Sequence, residues 1–195
     1  MKLLRYGALG EEQPAVLIDD IMFDISAFGE DIGESFFATE GIARLQRWLE
    51  GQKNLPEVPV GVRIGAPFAR PSKIICIGLN YTKHALESKM DLPIEPIVFL
   101  KSTSALCGPY DDLIIPKNSM KTDWEVELAV VIGRKASYIE EKDAMDYVAD
   151  NDYSEREFQL ERNGQWVKGK SCDTFAPMGP YLVTKDEVAD FNNLH

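Results

Sequence analysis

KTDWEVELAVVIGR, residues 121–134, is the stretch from which the rest of the chain is read. Glu125 and Glu127 sit two apart and lead into an apolar, β-branched run, residues 128–132, closed by Gly133. In a strand, side chains alternate faces, so both glutamates point one way and Val126 points the other. Two carboxylates on one face invite a cation between them. Mg²⁺ and Mn²⁺ are hard ions that take oxygen ligands. The alternative is the solvated polar face of an edge strand. The apolar run favours a buried strand, where unpaired carboxylates are costly.

Three other groups of residues offer partners for that pair. His84 and Glu87 stand three apart in YTKHALE, on one face of a short expected helix, residues 83–89. A carboxylate beside an imidazole raises its basicity. Asp152 in NDYSEREFQ offers a further oxygen ligand. Arg156 and Gln159, three apart in the same stretch, can present a planar cation and an amide to a substrate carboxylate. Lys170 in KGKSCDT lies in an expected glycine-punctuated loop, residues 164–180, which can bring an ammonium to an anionic ligand. Each group also has a structural reading, as an exposed ion pair, a charged turn or a surface loop.

The surroundings limit the classes of function. The formal net charge of −11 argues against non-specific binding of nucleic acid, since the surface repels phosphate. Three cysteines without CxxC spacing fit neither a disulfide framework nor a thiolate zinc site. No secretory h-region opens the chain, and no apolar run approaches the roughly 18 residues of a membrane span. These features set the expectation of a cytoplasmic protein with no membrane partner.

The pattern divides the chain into a small N-terminal α+β domain, residues 1–65, and a larger one, residues 66–195. In the first, strands are expected at 2–5, 15–18 and 21–25, and a helix at 42–49 with Ile42, Leu45 and Leu49 on one face. In the second, residues 73–78 (KIICIG) read as a strand buried on both faces, residues 97–101 (IVFLK) as another strand, and residues 140–148 as a helix with an acidic first turn. A short strand is expected at 113–115 and another at 181–184. The capping box from Thr184 to Glu187 opens a last short helix.

The order of these motifs is more specific than any one of them. GLNYTKHALE, IVFLK, TDWEVELAVVIGR, NDYSERE with its glutamine, and KGKSCDTFAPMGP follow one another as in the fumarylacetoacetate hydrolase family, which the chain resembles over residues 71–184. The opening MKLLRYG and the wording GQWVKGKSCDTFAPMGPYLVT are most similar to the branch of 2,4-diketo-3-deoxy-sugar-acid hydrolases, many of which carry the label ureidoglycolate lyase.

The resemblance implies a mixed α+β fold, a β-roll with a small N-terminal domain, usually as a homodimer. It implies that Glu125, Glu127 and Asp152 bind Mg²⁺ or Mn²⁺, with Ca²⁺ as the alternative. His84 and Glu87 then form a dyad that orients and deprotonates water. Arg156, Gln159 and Lys170 hold the substrate's carboxylate and keto oxygens, with Lys170 also in the catalytic group. Residues 83–95 correspond to a lid. The implied reaction is hydrolysis of a C–C bond in a 2,4-diketo acid to pyruvate, or a similar 2-keto acid, and a second acid. The alternatives are a lyase of the same fold, acting on oxaloacetate or ureidoglycolate, and an inactive family member.

Two departures from the family pattern stand out. The family places a strand ahead of its aspartate. Here a helix ending at Val148 leaves almost no room for one in YVADNDYSERE. The family domain also continues past the position of His195, so a complete chain is expected to be longer.

Overall fold

A computed structural model describes residues 1–87, 91–134, 137–138 and 146–190, with the backbone alone for 146–151. The first strands are β1 (Lys2–Tyr6), β2 (Gln13–Ile18) and β3 (Ile21–Asp24), followed by helices α1 (Glu34–Ala38) and α2 (Gly41–Glu50). Next come β4 (Ile64–Gly65), β5 (Ile74–Gly78), α3 (Thr82–Glu87), β6 (Ile97–Lys101) and β7 (Leu106–Cys107). The last part holds β8 (Thr122–Asp123), β9 (Val126–Val131), β10 (Asp146–Asn151), β11 (Ser154–Glu155), α4 (Trp166–Lys170) and β12 (Ala176–Thr184).

The main sheet runs β3-β2-β1-β12-β10-β9, with β4 on β1 and β7 on β12. Its β1–β12 pairing, Lys2 opposite Val183 and Leu3 opposite Leu182, carries the sheet across the position of residue 65. Asp19 and Asp20, both at positive φ, make the turn between β2 and β3. On α2, Leu45 is fully buried and joins Leu3, Val16, Phe36, Phe175 and Leu182 in one core cluster. Burying each such large apolar side chain contributes about 1.5–3 kcal/mol. Arg5 donates to Asp31, and Arg63 to Glu12 and Asp111, which ties the N-terminal strands to the turn after β7. Among the described residues no helix is long and apolar enough to cross a membrane.

Several sequence expectations are corrected. Asp146–Asn151 is a strand, not the end of a helix, and it pairs with both β9 and β12. The strand ahead of Asp152 is therefore present. The apolar run Tyr147-Val148-Ala149 suits a strand once two neighbours supply its hydrogen bonds. The rest of the expected helix, residues 140–145, lies outside the described residues. Within the expected loop at 164–180, α4 carries Lys170 and β12 begins at Ala176. No strand forms at 113–115. The expected last helix is a single 3₁₀ turn, Lys185–Glu187.

The segment KIICIG is not buried on both faces. Ile74 is buried, but Ile75 and Ile77 are exposed, because among the described residues β5 pairs only with β6, in a two-stranded ribbon. The run after Glu127 also has one exposed face, with Val130 and Ile132 outward from an edge of the sheet, as is Val126 before it.

Candidate active site

The two carboxylate-bearing segments lie side by side. β9 pairs with β10, placing Val126 opposite Asn151. The Asp152 amide then donates to the Glu125 carbonyl at 2.8 Å. The ladder resumes between β8 and β11, with Asp123 opposite Ser154 and Thr122 opposite Glu155. Glu125 and Asp152 thus sit at the junction of two short ladders, fixed by backbone hydrogen bonds on both sides.

Their side chains converge on one ammonium. Lys170, only 2% exposed, donates to Glu125 Oε1 at 3.1 Å and to Asp152 Oδ2. A second buried amine, Lys101 at the end of β6, donates to Asp152 Oδ1 at 2.5 Å and to the Tyr153 carbonyl at 3.1 Å. Glu125 Oε1 also accepts from the buried Ser154 hydroxyl at 3.2 Å and pairs with Arg156. On the far side of the same carboxylate, His84 Nε2 stands 3.9 Å from Oε2, with its ring about one third exposed. Such contacts offset the large penalty for burying charge.

Arg156 is held by Asp123 Oδ2 at 2.8 and 3.0 Å and donates to Gln159 Oε1 at 3.1 Å. Gln159 is buried on a π-helical turn, Glu157–Glu161. Glu155, fully buried, organises this turn. It accepts from Ser119, from the Lys121 and Glu157 amides and from Thr122. Burial alone pushes its carboxyl up, but these hydrogen bonds outweigh burial and leave it below the usual carboxylate range.

Helix α4 delivers Lys170 by close approach. A Cβ on Gly169 would lie 2.4 Å from the Glu155 carbonyl oxygen, so only glycine lets the helix pack against the π turn. Trp166, one turn earlier, stacks edge-on against Phe99 at 5.4 Å. It also occupies the space that a Cβ on Gly78 would need, 2.7 Å from its ring.

Of the sequence candidates, Glu125, Asp152, Arg156, Gln159, Lys170 and His84 form one connected group. Glu87 is exposed at the end of α3, and no hydrogen bond or ion pair joins it to His84 among the described residues. Glu127 follows on β9. Partial burial, and next the Glu127 charge, raise the Tyr81 phenol, while a hydrogen bond from the Leu128 backbone opposes the rise. Part of the expected lid, residues 88–90, lies outside the described residues. Lys101, Asp123, Ser154, Glu155 and Tyr81 were not singled out from the sequence. The one available signal was Lys101 itself, a lone charge closing an apolar strand.

No group of three potential metal-ligating side chains stands together among the described residues. The donor chemistry nevertheless suits a hard divalent ion. Glu125 and Asp152 are all-oxygen donors already converging on one positive charge. Counting Asp123, Glu125, Glu127 and Asp152 against Lys101, Lys170 and Arg156, carboxylates outnumber cations by one. A divalent ion held there would reverse that sign and ready the site for an anion.

The fumarylacetoacetate (FAA) hydrolase C-terminal family model matches residues 73–195, a span that contains every member of this group. The chain belongs to the fumarylacetoacetate hydrolase family. This is a family of enzymes, and its mixed α+β architecture is the one described above. A Burkholderia multivorans protein named provisionally as a hydrolase is 52% identical to this family member, over 100% of this chain and 70% of its own length. The structure of maleylpyruvate hydrolase from a Sphingobium species, in complex with manganese(II) and pyruvate, superposes with a TM-score of 0.74 at 28% identity. That match covers 97% of this chain and 69% of the other. A 5-carboxymethyl-2-hydroxymuconate delta-isomerase structure from Mycobacterium smegmatis matches with a TM-score of 0.68 at 28% identity, covering 95% and 66%.

Proposed function

We propose that this protein is a metal-dependent hydrolase that cleaves a C–C bond in a 2,4-diketo acid, such as an acylpyruvate or a 2,4-diketo-3-deoxy sugar acid. The products are pyruvate, or a similar 2-keto acid, and a second acid. The observation that carries this reading is the convergence of Glu125 and Asp152 on one cation with His84 beside them. The Sphingobium hydrolase, with manganese and pyruvate, supports it.

Glu125, Glu127 and Asp152 would hold Mg²⁺ or Mn²⁺, with Ca²⁺ as the alternative. When bound, the ion supplies Lewis-acid polarisation of a ligated oxygen. His84, partly exposed, orients a water and takes its proton, with Glu87 as its partner on α3 in this reading. The water oxygen bonds to C4, the C3–C4 bond breaks, and its electron pair stays on C3 until a proton arrives. Lys170, Arg156 and Gln159 are the donors for the substrate's carboxylate and keto oxygens. The protein acts as a cytoplasmic homodimer in this reading, which light scattering of the purified protein tests.

The assay is loss of the enol absorbance of an acylpyruvate on addition of protein and Mg²⁺. It should stop with chelator and with Glu125→Ala. Turnover that survives full chelation would reject the role of the metal. The second reading is a lyase (oxaloacetate decarboxylase or ureidoglycolate lyase) or an isomerase, and the likeness to the delta-isomerase favours the last of these. His84→Ala separates them: a hydrolase loses about 10²–10⁴-fold with its general base, whereas a decarboxylase keeps much of its rate. No turnover on a panel of keto acids, despite tight ion binding, would identify an inactive member.

A further inference from the structure

Asp152 carries two ammonium groups, one on each oxygen, and they are held differently. Lys101 is anchored from outside the carboxylate pair as well, by the Tyr153 carbonyl at 3.1 Å. Among the described residues Lys170 has no such anchor. Its two hydrogen-bond acceptors are Glu125 Oε1 and Asp152 Oδ2. Those are oxygens of two of the three carboxylates that, in the metal reading above, would hold the divalent ion. An ammonium and a divalent ion within bonding distance of the same oxygens repel each other strongly at low dielectric. The Phe99 ring, 5.0 Å from Lys170 Nζ, gives the ammonium a favourable neighbour that is not a carboxylate.

We propose that Lys170 and the divalent ion are mutually exclusive occupants of the Glu125–Asp152 pair, so that ion binding releases the Lys170 ammonium while Lys101 stays on Asp152. Lys170 is then an internal competitor that holds the two carboxylates together and weakens ion affinity. The inference rests on the metal reading, and its failure can be told apart from the failure of that reading.

The test is calorimetric titration of Mn²⁺ into wild type, Lys170→Met, Lys170→Gln, Lys101→Met and Glu125→Ala, each checked for folding by circular dichroism. Removing the competitor should tighten Mn²⁺ binding in both Lys170 variants by about tenfold or more, and Lys101→Met should not tighten it. Equal or weaker binding in the folded Lys170 variants overturns the proposal. So does equal tightening by Lys101→Met, which would show a bulk charge effect. If neither Lys170 variant folds, amine acylation of wild type read by mass spectrometry takes their place. Mn²⁺ should raise labelling of Lys170 several-fold and leave Lys101 unchanged, and no rise at Lys170 overturns the proposal. A wild type that does not bind Mn²⁺, or a Glu125→Ala variant that binds it as wild type does, removes the metal reading and this inference together.

Discussion

Gly169→Ala is the substitution for which the structure gives the clearest magnitude. The added methyl would meet the Glu155 carbonyl oxygen at 2.4 Å and the Gln159 Cβ and amide nitrogen at 2.7 Å, where ordinary contact begins at 3.4 Å. Two of the three obstructing atoms are backbone, so no rotamer change relieves the clash. Helix α4 must retreat by about 1 Å, at the roughly 1–3 kcal/mol typical of overpacking. Alanine recovers about 0.5–1 kcal/mol through its better helix propensity. Lys170 is the next residue, and its 3.1 Å bond to Glu125 does not survive a 1 Å retreat. A charge-assisted hydrogen bond contributes about 1.5–3 kcal/mol. The net expectation is a loss of about 1.5–5.5 kcal/mol in unfolding free energy and a fall in turnover. Urea unfolding followed by tryptophan fluorescence reads the first, with Trp166 on the same helix, and the acylpyruvate assay reads the second. Gly51→Ala is the control, since Gly51 has ordinary φ and its nearest obstruction is at 3.5 Å. A Gly169→Ala protein within about 0.5 kcal/mol of wild type and fully active would refute the claim that this close approach positions Lys170.

Three further outcomes are expected. Gly78→Ala should destabilise by about 1–3 kcal/mol, because its Cβ would lie 2.7 Å from the Trp166 ring, and Gly78→Ala combined with Trp166→Leu should recover part of that loss in a double-mutant cycle. Tyr6, raised to about 12 by burial and then by its hydrogen bond to Asp24, should ionise well above the ordinary phenol range. The stability it contributes is complete below the ordinary tyrosine range and is lost as pH rises toward 12, and absorbance at alkaline pH, compared with Tyr6→Phe, checks this. Glu155 has the opposite sign: its folded value is lowered, so its contribution is present above the ordinary glutamate range and disappears as pH falls through the lowered value. Thermal melts of wild type and Glu155→Gln should therefore differ most near neutral pH and converge in acid.

How far the site was legible in the sequence depends on how local its signals are. Glu125 and Glu127 were legible because strand alternation is a two-residue rule, and Arg156 with Gln159 because three residues close one turn. Lys101 was not legible. Its charge lies at the end of an apolar strand, and only the tertiary fold brings its amine to Asp152 and the Tyr153 carbonyl. Lys170 was read as a residue of a glycine-punctuated loop because the KGK wording looks permissive. The glycine there serves close packing, which depends on Glu155, a residue distant in sequence from it.

The strand before Asp152 went unread for a related reason. DAMDYVADN suits a helix by composition, and strand propensity depends on neighbours more than helix propensity does. β9 and β12 flank this segment on both sides and supply hydrogen-bond partners that a local reading cannot count. The same ladder then hands Asp152 to Glu125 across the 2.8 Å amide bond. The pairing that a local reading cannot see therefore also creates the convergence of the two carboxylates. A substitution that breaks the ladder, such as Ala149→Pro, should disturb both at once. Proline removes one backbone donor from a strand paired on both sides, so the expected result is a large loss of stability together with loss of Mn²⁺ binding. A folded Ala149→Pro protein with wild-type ion affinity would show that Asp152 is placed by Lys101 and Lys170 rather than by the strand.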